Sequence, residues 1–347
     1  MTTFMAEETR YTPLCIESQL KENNTLWQEI AAIIKKRQPQ FAMTIGRGSS
    51  DHACTFAKYL LETQYNLVTA SAAPSTRTLY QANLQLKHAL VIAISQSGQS
   101  VDLCEMMAHA KKQGATTIAI VNQTESPLAN LAEFVIPIHA GEEKSVAATK
   151  SYIGALAALL QFTSTLSPHI DLPLSALPEY LRLALDSDWN QSLPTFKDAK
   201  TTLIVGRGYQ FPIAQEAALK CKETAILHAE AFSGAEVLHG PFALVQNDYP
   251  VLSFIHKDAS QQQMVDLIER IQQTGAQPIT AAAGNLSHLD QLKAHSKEVI
   301  LLPHSLHPLL DPLMTIQSFY VFIEQLARLR GFNPDEPLNL SKVTSTK

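Results

Sequence analysis

"FAMTIGRGSSDHACTFAKYLLE", residues 41–62, and "TTLIVGRGYQFPIAQEAALKCKE", residues 201–223, describe the same element twice. Each opens with a short apolar run, passes through Gly-Arg-Gly and continues into an Ala-rich segment of helical period. A second pair follows: "QGATTIAIVNQTESPLANLAEFVIPI" at 113–138 and "TGAQPITAAAGNLSHLDQLKAHSKEVILLP" at 274–303. Gly46 and Gly206 lie 160 positions apart, and Gly114 and Gly275 lie 161 apart. Two separate matches at nearly one offset read as a tandem duplication. Within each copy, short apolar runs alternate with longer helix-period stretches, which is the pattern of βαβ units. The expected fold class is α/β: two doubly wound domains, each a parallel sheet covered by helices on both faces.

The same reading divides the chain. A helical arm at 1–35 precedes a first domain at 36–165. The stretch "LSPHIDLPLSALPEY" (166–180), with three prolines, marks a linker at 166–195. A second domain covers 196–330, and "GFNPDEPLNLSKVTSTK" at 331–347 reads as an extended tail.

Composition excludes several functions. The chain of 347 residues is 46% hydrophobic and 17% charged, with a net charge of −5, as a soluble globular protein is. It carries no basic footprint for nucleic acid and no polybasic patch for a membrane. The opening "MTTFMAEETRYTP" lacks the layout of a signal peptide, and "YIGALAALLQF" at 152–162 is too short to span a bilayer. Cys15, Cys54, Cys104 and Cys221 form no Cys-x-x-Cys pair, which argues for reduced thiols in the cytoplasm and against a zinc site. Cys221, between Lys220 and Lys222, reads as a packed thiol.

Gly46-Arg47-Gly48 invites a dinucleotide reading, but Asp51 stands at the third glycine position and Phe211 in the second copy. A triphosphate loop is absent as well, so these glycines mean tight strand-to-helix turns. "VIAISQSGQS" at 91–100 is more specific. An apolar strand ends in Ser95, Gln96, Ser97, Gly98 and Ser100, just before a helix beginning at Val101. In a parallel sheet ligands settle at the carboxyl ends of strands, and a helix starting there presents free N–H groups to an anion. Hydroxyls and an unhindered glycine make a cradle for a small phosphate monoester. The competing reading is a hydroxyl-rich N-cap serving only its own helix. Ser49 and Ser50 can converge on the same place. The second copy has "FIHKDASQQ" at 254–262, without Ser-x-Ser-Gly, so phosphate is expected in the first domain only.

In the second copy Glu216, Lys220 and Glu223 are spaced to share one helix face. That is either a solvated ion pair or an acid/base set. His228, Glu230 and Glu236 precede His239 in a Gly-Pro turn, where a histidine is presented, and this favours proton shuttling beside a carbonyl.

With "SQSGQS", "EKSVAATKSY", "GRGYQFPIAQEAALKCKE", "HAEAFSGAEVLHGPFAL" and "NPDEPLNLSKVT" assembled, the chain resembles the double SIS (sugar isomerase) proteins over its whole length. It resembles the isomerase half of glucosamine-6-phosphate synthase and SIS-type glucosamine-6-phosphate deaminases. The resemblance implies that Ser50, Ser95, Gln96, Ser97 and Ser100 bind the substrate's phosphate. It implies that Val146, Ala147 and Ala148 belong to a loop closing on the sugar. Glu223 would move the proton between C1 and C2, with Glu216 and Lys220 as its partners on the helix. His239 would open the sugar ring from a neighbouring subunit, so a homodimer is expected. Lys342 would be the tail lysine able to form a Schiff base with a ketose phosphate. Gln99, Ser100 and Ala148 depart from the family's acidic residue, threonine and serine at those places. Thr2 follows Met1 where the synthase has a cysteine nucleophile, so no glutaminase is expected.

Without channelled ammonia the expected reaction is glucosamine-6-phosphate deamination to fructose 6-phosphate and ammonia, with no metal and no organic cofactor. The alternatives are a fructosamine-6-phosphate deglycase, another aldose–ketose phosphosugar isomerase, and a non-catalytic sugar-phosphate sensor. The expected partner is an aminosugar phosphate, with neither nucleic acid nor membrane.

Overall fold

The computed structural model describes residues 2–167 and 170–342. They form two compact units, one built mainly from Leu14–Glu143 and Ala148–Ser175, the other mainly from Ala176–Leu340.

The first unit holds strands β1 (Phe41–Ile45), β2 (Thr69–Ser71), β3 (Ala89–Ser95), β4 (Thr116–Val121) and β5 (Phe134–Pro137), all parallel, in the order β2-β1-β3-β4-β5. All residues of β3 and β4 are buried, which accounts for their largely apolar sequences: a parallel strand between helical layers has no wet face. The Val101–Lys112 helix lays Leu103, Met106, Met107 and Ala110 against this sheet, at the spacing of one helix face. The Lys150–Leu166 helix is buried from Lys150 through Thr163, so the apolar segment at 152–162 is a core helix.

The second unit repeats the plan. Strands β6 (Thr201–Gly206), β7 (His228–Ser233), β8 (Pro250–Ile255), β9 (Gln277–Ala283) and β10 (Glu298–Leu302) are parallel and ordered β7-β6-β8-β9-β10. Strand for strand this is the order of the first sheet, as the duplication predicts. Its core carries an aromatic cluster in which Trp189 stacks on Phe322 at 4.8 Å, with Phe196 and Phe319 edge-on nearby. Trp189 comes from the stretch read as a linker. That stretch is partly helical, because Pro178 and Pro194 sit in the first turns of the short helices Leu177–Ala184 and Leu193–Lys197, where proline costs nothing.

Both Gly-Arg-Gly turns are built for the same two reasons. A Cβ on Gly46 would lie 2.7 Å from the Ser50 carbonyl oxygen, and one on Gly206 would lie 2.2 Å from that of Gln210. Gly48 and Gly208 then take φ of 54° and 58°, the left-handed region. These glycines bring the strand end onto the following helix, as a tight turn requires.

In each sheet the strand order reverses between the first and third strands, β1 and β3 or β6 and β8. Ligands of such sheets sit at the carboxyl ends of the strands flanking that reversal. In the first unit the two flanking loops are Gly46–Ser50 and Gln96–Ser100.

Candidate functional site

In the first unit the residues expected to hold phosphate are brought to one end of two neighbouring strands. Ser95 ends β3 and is buried; its Oγ accepts the Gly98 N–H at 3.0 Å and so braces the turn. Ser97 Oγ accepts the Gln99 N–H at 3.3 Å. Gly98 has φ 63°, and a Cβ there would fall 2.0 Å from Ser126 Oγ, so only glycine fits. Its carbonyl accepts the Leu128 N–H at 3.1 Å, which ties the turn to the next loop. Ser100 is the N-cap of the Val101–Lys112 helix, yet its hydroxyl makes no capping bond. A serine there for its own helix would bond the N–H of the second or third helical residue. The N-cap reading therefore fails at Ser100, and the hydroxyl stands available beside the free end of the helix. Gln96 and Ser97 are half-buried. Ser50 lies in the first turn of the Ser49–Tyr65 helix, which follows β1, the strand paired with β3.

In the second unit the Phe211–Ala225 helix carries the candidate acid/base set. Lys220 is fully buried, with Nζ 3.3 Å from Glu216 Oε1 and 2.5 Å from Glu223 Oε2. Glu216 is also fully buried and accepts the Tyr320 hydroxyl at 3.1 Å, whereas the Glu223 side chain is 21% exposed. The solvated-face reading is thereby excluded: a buried ammonium joins two carboxylates, and only Glu223 reaches the surface. Burial works against the Lys220 ammonium, but Glu216 and Glu223 outweigh it and push its pKa up. The group stays charged.

His239 is exposed and ends the short helical turn Glu236–Leu238, ahead of Gly240 with φ 129°. It is presented, as a histidine in such a turn should be. His228 and Glu230 do not join the relay. They stand exposed on β7, the edge strand, where His228 Nδ1 lies 3.3 Å from Thr201 Oγ1. Alternation along an edge strand, not convergence, explains their spacing. Cys221 is a packed thiol: burial pushes it up to about 12 against the opposing pull of Lys222 and Arg330.

Two further groups were missed from sequence. Lys342 donates to Glu143 Oε2 at 3.0 Å and is not a bare tail lysine. Glu143 is buried, and its carboxylate also accepts the Thr149 N–H at 3.0 Å, the Ser151 N–H at 3.2 Å and the Ser151 hydroxyl at 2.8 Å. Burial raises this carboxyl, but Lys342 and the bonds from Thr149 and Ser151 prevail and hold it below the usual carboxylate range. The signal was present, since Glu143 is the first residue of "EKSVAATKSY". In the same loop Val146 and Ala148 are half-buried and Ala147 is buried, and the Val146 N–H donates to the Asp335 carbonyl at 3.3 Å. The other missed group is Tyr320, an aromatic residue in an apolar helix with nothing local to mark it.

Among the described residues no helix is long and apolar enough to cross a membrane. Nor does any group of three or more His, Cys, Asp or Glu side chains stand placed to hold a metal ion.

Two tandem parallel-sheet domains with a serine-rich loop at the first reversal point define a class, and comparison with known proteins gives its family. The SIS domain model matches residues 37–165 and 195–329, and the chain belongs to that family. It is 31% identical to the glutamine–fructose-6-phosphate aminotransferase (isomerizing) of Thermococcus kodakarensis over 98% of this chain and 57% of that protein. The enzyme of the same name from Methanothermobacter thermautotrophicus is 29% identical over 99% of this chain and 58% of its own length. The chain thus spans little more than half the length of these relatives. Among solved structures, a protein from Silicibacter pomeroyi assigned as a phosphosugar isomerase is 36% identical, with a TM-score of 0.87 over 96% of this chain and all of the other. Glucosamine-6-phosphate deaminase from Thermotoga maritima shares the fold at 20% identity, with a TM-score of 0.73 over 96% of this chain and all of that one.

Proposed function

We propose that this protein is an aminosugar-phosphate isomerase whose reaction ends in deamination, converting glucosamine 6-phosphate to fructose 6-phosphate and ammonia. The observation that carries this reading is the buried Lys220 between Glu216 and Glu223, with Glu223 alone reaching the surface. A sugar-phosphate sensor has no use for a desolvated ion relay, whose burial is costly unless every charge is paired. A proton-transfer enzyme needs one carboxylate held in register by a fixed cation. The similarity to the two glutamine–fructose-6-phosphate aminotransferases and to the Silicibacter pomeroyi protein assigned as a phosphosugar isomerase supports the substrate class.

In this reading Ser50 and the Ser95–Ser100 loop receive the phosphate, and Val146, Ala147 and Ala148 contact the sugar. His239, acting in the site of a second copy, assists ring opening. Glu223 takes the proton from C2 of the open-chain aldehyde, the electrons pass to the C1–C2 bond, and O1 is protonated. Return of the proton to C1 leaves a C2 iminium, whose positive charge corresponds to the proton taken up at O1. Water adds at C2 and ammonia leaves, which gives the ketose. Lys220 is too deeply buried to touch a substrate oxygen, so its role is to fix and charge-balance Glu223. Lys342, which donates to Glu143, is the tail lysine assigned to a ketose carbonyl.

The test is ammonia release from the purified protein with glucosamine 6-phosphate alone, followed together with fructose 6-phosphate. Equal amounts of both support the deaminase. Interconversion of hexose 6-phosphates without ammonia would replace it with a simple aldose–ketose isomerase. Cleavage of fructosamine 6-phosphates instead would make it a deglycase.

A further inference from the structure

The Gly-Arg-Gly turn of the first unit contains a residue that the tight-turn reading leaves unused. Arg47 extends from the turn after β1, three residues before Ser50. Its Nε and Nη2 donate to Asp102 Oδ2 at 2.9 and 2.7 Å. Asp102 lies in the first turn of the helix capped by Ser100, and its Oδ1 accepts the Leu103 N–H at 2.9 Å. The guanidinium is therefore pinned between the two segments that flank the strand-order reversal, both of them proposed to hold phosphate. The pair is lopsided: the Asp102 side chain is 3% exposed and that of Arg47 50%. The carboxylate is sealed below, and the solvent-facing half of the pair is positive, with Nη1 outside the two bonds to Asp102.

Charge balance gives this placement a purpose. A phosphate monoester carries roughly −1.5 to −2 at neutral pH. The loop Gln96–Ser100 offers hydroxyls, amides and a helix end worth about half a charge, and no cationic side chain. Asp102, two residues beyond Ser100, would by itself oppose an anion. Arg47 offsets that carboxylate, faces Asp51 in the first turn of the Ser49–Tyr65 helix as well, and presents a planar donor fork suited to phosphate oxygens.

The second unit serves as an internal comparison. There β6 and β8 take the places of β1 and β3, and the loop after β8 supplies an anion of its own. Asp258 Oδ1 accepts the Ser260 N–H and hydroxyl at 2.7 and 2.6 Å, and His256 Nε2 lies 3.0 Å from Oδ2. Asp258 Oδ2 also stands 3.4 Å from where a Cβ on Gly208, the counterpart of Gly48, would lie. The duplicated fold thus seats a negative group against this turn. The first copy has no carboxylate within the corresponding loop, Gln96–Ser100; its nearest one there, Asp102, comes from the following helix and is bonded to Arg47.

We propose that Arg47 is a further substrate-binding residue, the cationic clamp for the phosphate dianion, held in orientation by Asp102. This inference rests on the sugar-phosphate reading given above. The test compares wild type, Arg47→Gln and Arg47→Lys in the ammonia assay, with inorganic phosphate as competitor, alongside thermal unfolding. For Arg47→Gln the expected result is a rise in the Ki of inorganic phosphate and in KM of roughly 10- to 100-fold, with kcat within about twofold, the loss of one charged hydrogen-bonding group. Arg47→Lys should recover part of the loss, since it keeps the charge without the fork. A purely structural pair would lower the unfolding temperature and leave Ki unmoved, and that result overturns the inference. If Arg47→Gln does not fold, Arg47→Lys decides: an unchanged Ki refutes the clamp. A wild-type protein that binds neither inorganic phosphate nor glucosamine 6-phosphate refutes the sugar-phosphate reading, and the clamp with it.

Discussion

Replacing Lys220 with methionine keeps the volume of the side chain and removes its charge, so it isolates the electrostatics of the relay. In the wild-type protein Nζ lies 3.3 Å from Glu216 and 2.5 Å from Glu223, and both Lys220 and Glu216 are fully buried. Removing one partner from a buried ion pair costs about 3–5 kcal/mol, because the remaining charge is left without compensation. Glu216 would keep the Tyr320 hydroxyl but lose the ammonium. Its least costly response is to take up a proton, so its folded pKa rises above the unfolded value. A group with a raised folded pKa contributes stability below the unfolded pKa and loses it as pH rises. The variant should therefore be least impaired near pH 5 and progressively weaker toward pH 8, by roughly 1–3 kcal/mol across that span. Wild-type Lys220 also has a raised pKa, so its contribution is complete below 10.5 and lost only at higher pH, which leaves that range flat. Urea unfolding of both proteins at a series of pH values measures the difference. A second variant, Lys220→Met with Glu216→Gln, should recover much of the loss and abolish the slope. A Lys220→Met protein less than about 1 kcal/mol weaker than wild type, with no pH dependence, would refute the claim that the relay is a buried, charged network.

Glu223→Gln should abolish ammonia release while leaving the affinity for glucosamine 6-phosphate, measured calorimetrically, nearly unchanged; normal turnover would remove Glu223 from the mechanism. Gly98→Ala puts a Cβ 2.0 Å from Ser126 Oγ at a φ of 63°, so it should cost about 2 kcal/mol or more in urea unfolding and also weaken phosphate binding. Lys342→Met removes a partner of the buried Glu143, whose lowered pKa contributes stability above the unfolded value and loses it as pH falls. The variant should be about 1–3 kcal/mol weaker at neutral pH, and the gap should narrow as pH falls below the ordinary carboxyl value of 4.5 in an acid-unfolding series.

The candidate phosphate loop and the Glu216–Lys220–Glu223 set differ in how far the sequence exposed them, and the reason is the range of the interactions. Every part of the phosphate loop lies within ten residues, and its rules are local: an apolar strand, a glycine that must take positive φ, a hydroxyl at a helix start. The repeat predicted that the two sheets share one strand order, because two copies of one plan place corresponding loops at corresponding strand ends, but not which order that is. The relay was half visible. The spacing of Glu216, Lys220 and Glu223 fixed a shared face, but not whether that face was wet. Burial is decided by what packs on the helix, and Tyr320 arrives from 104 residues away. The pairing of Glu143 with Lys342 spans 199 residues and depends on where a tail is laid, which no local pattern encodes. Edge-strand alternation misled in the other direction: His228 and Glu230 are close in sequence to His239, yet the strand holds them away from the relay. The Arg47–Asp102 pair lies between these limits. Its residues are 55 apart, but each occupies a legible place, a strand-end turn and the first turn of a helix. Given the strand order, their meeting follows, because β1 and β3 are hydrogen-bonded neighbours that bring both places to the same end of the sheet.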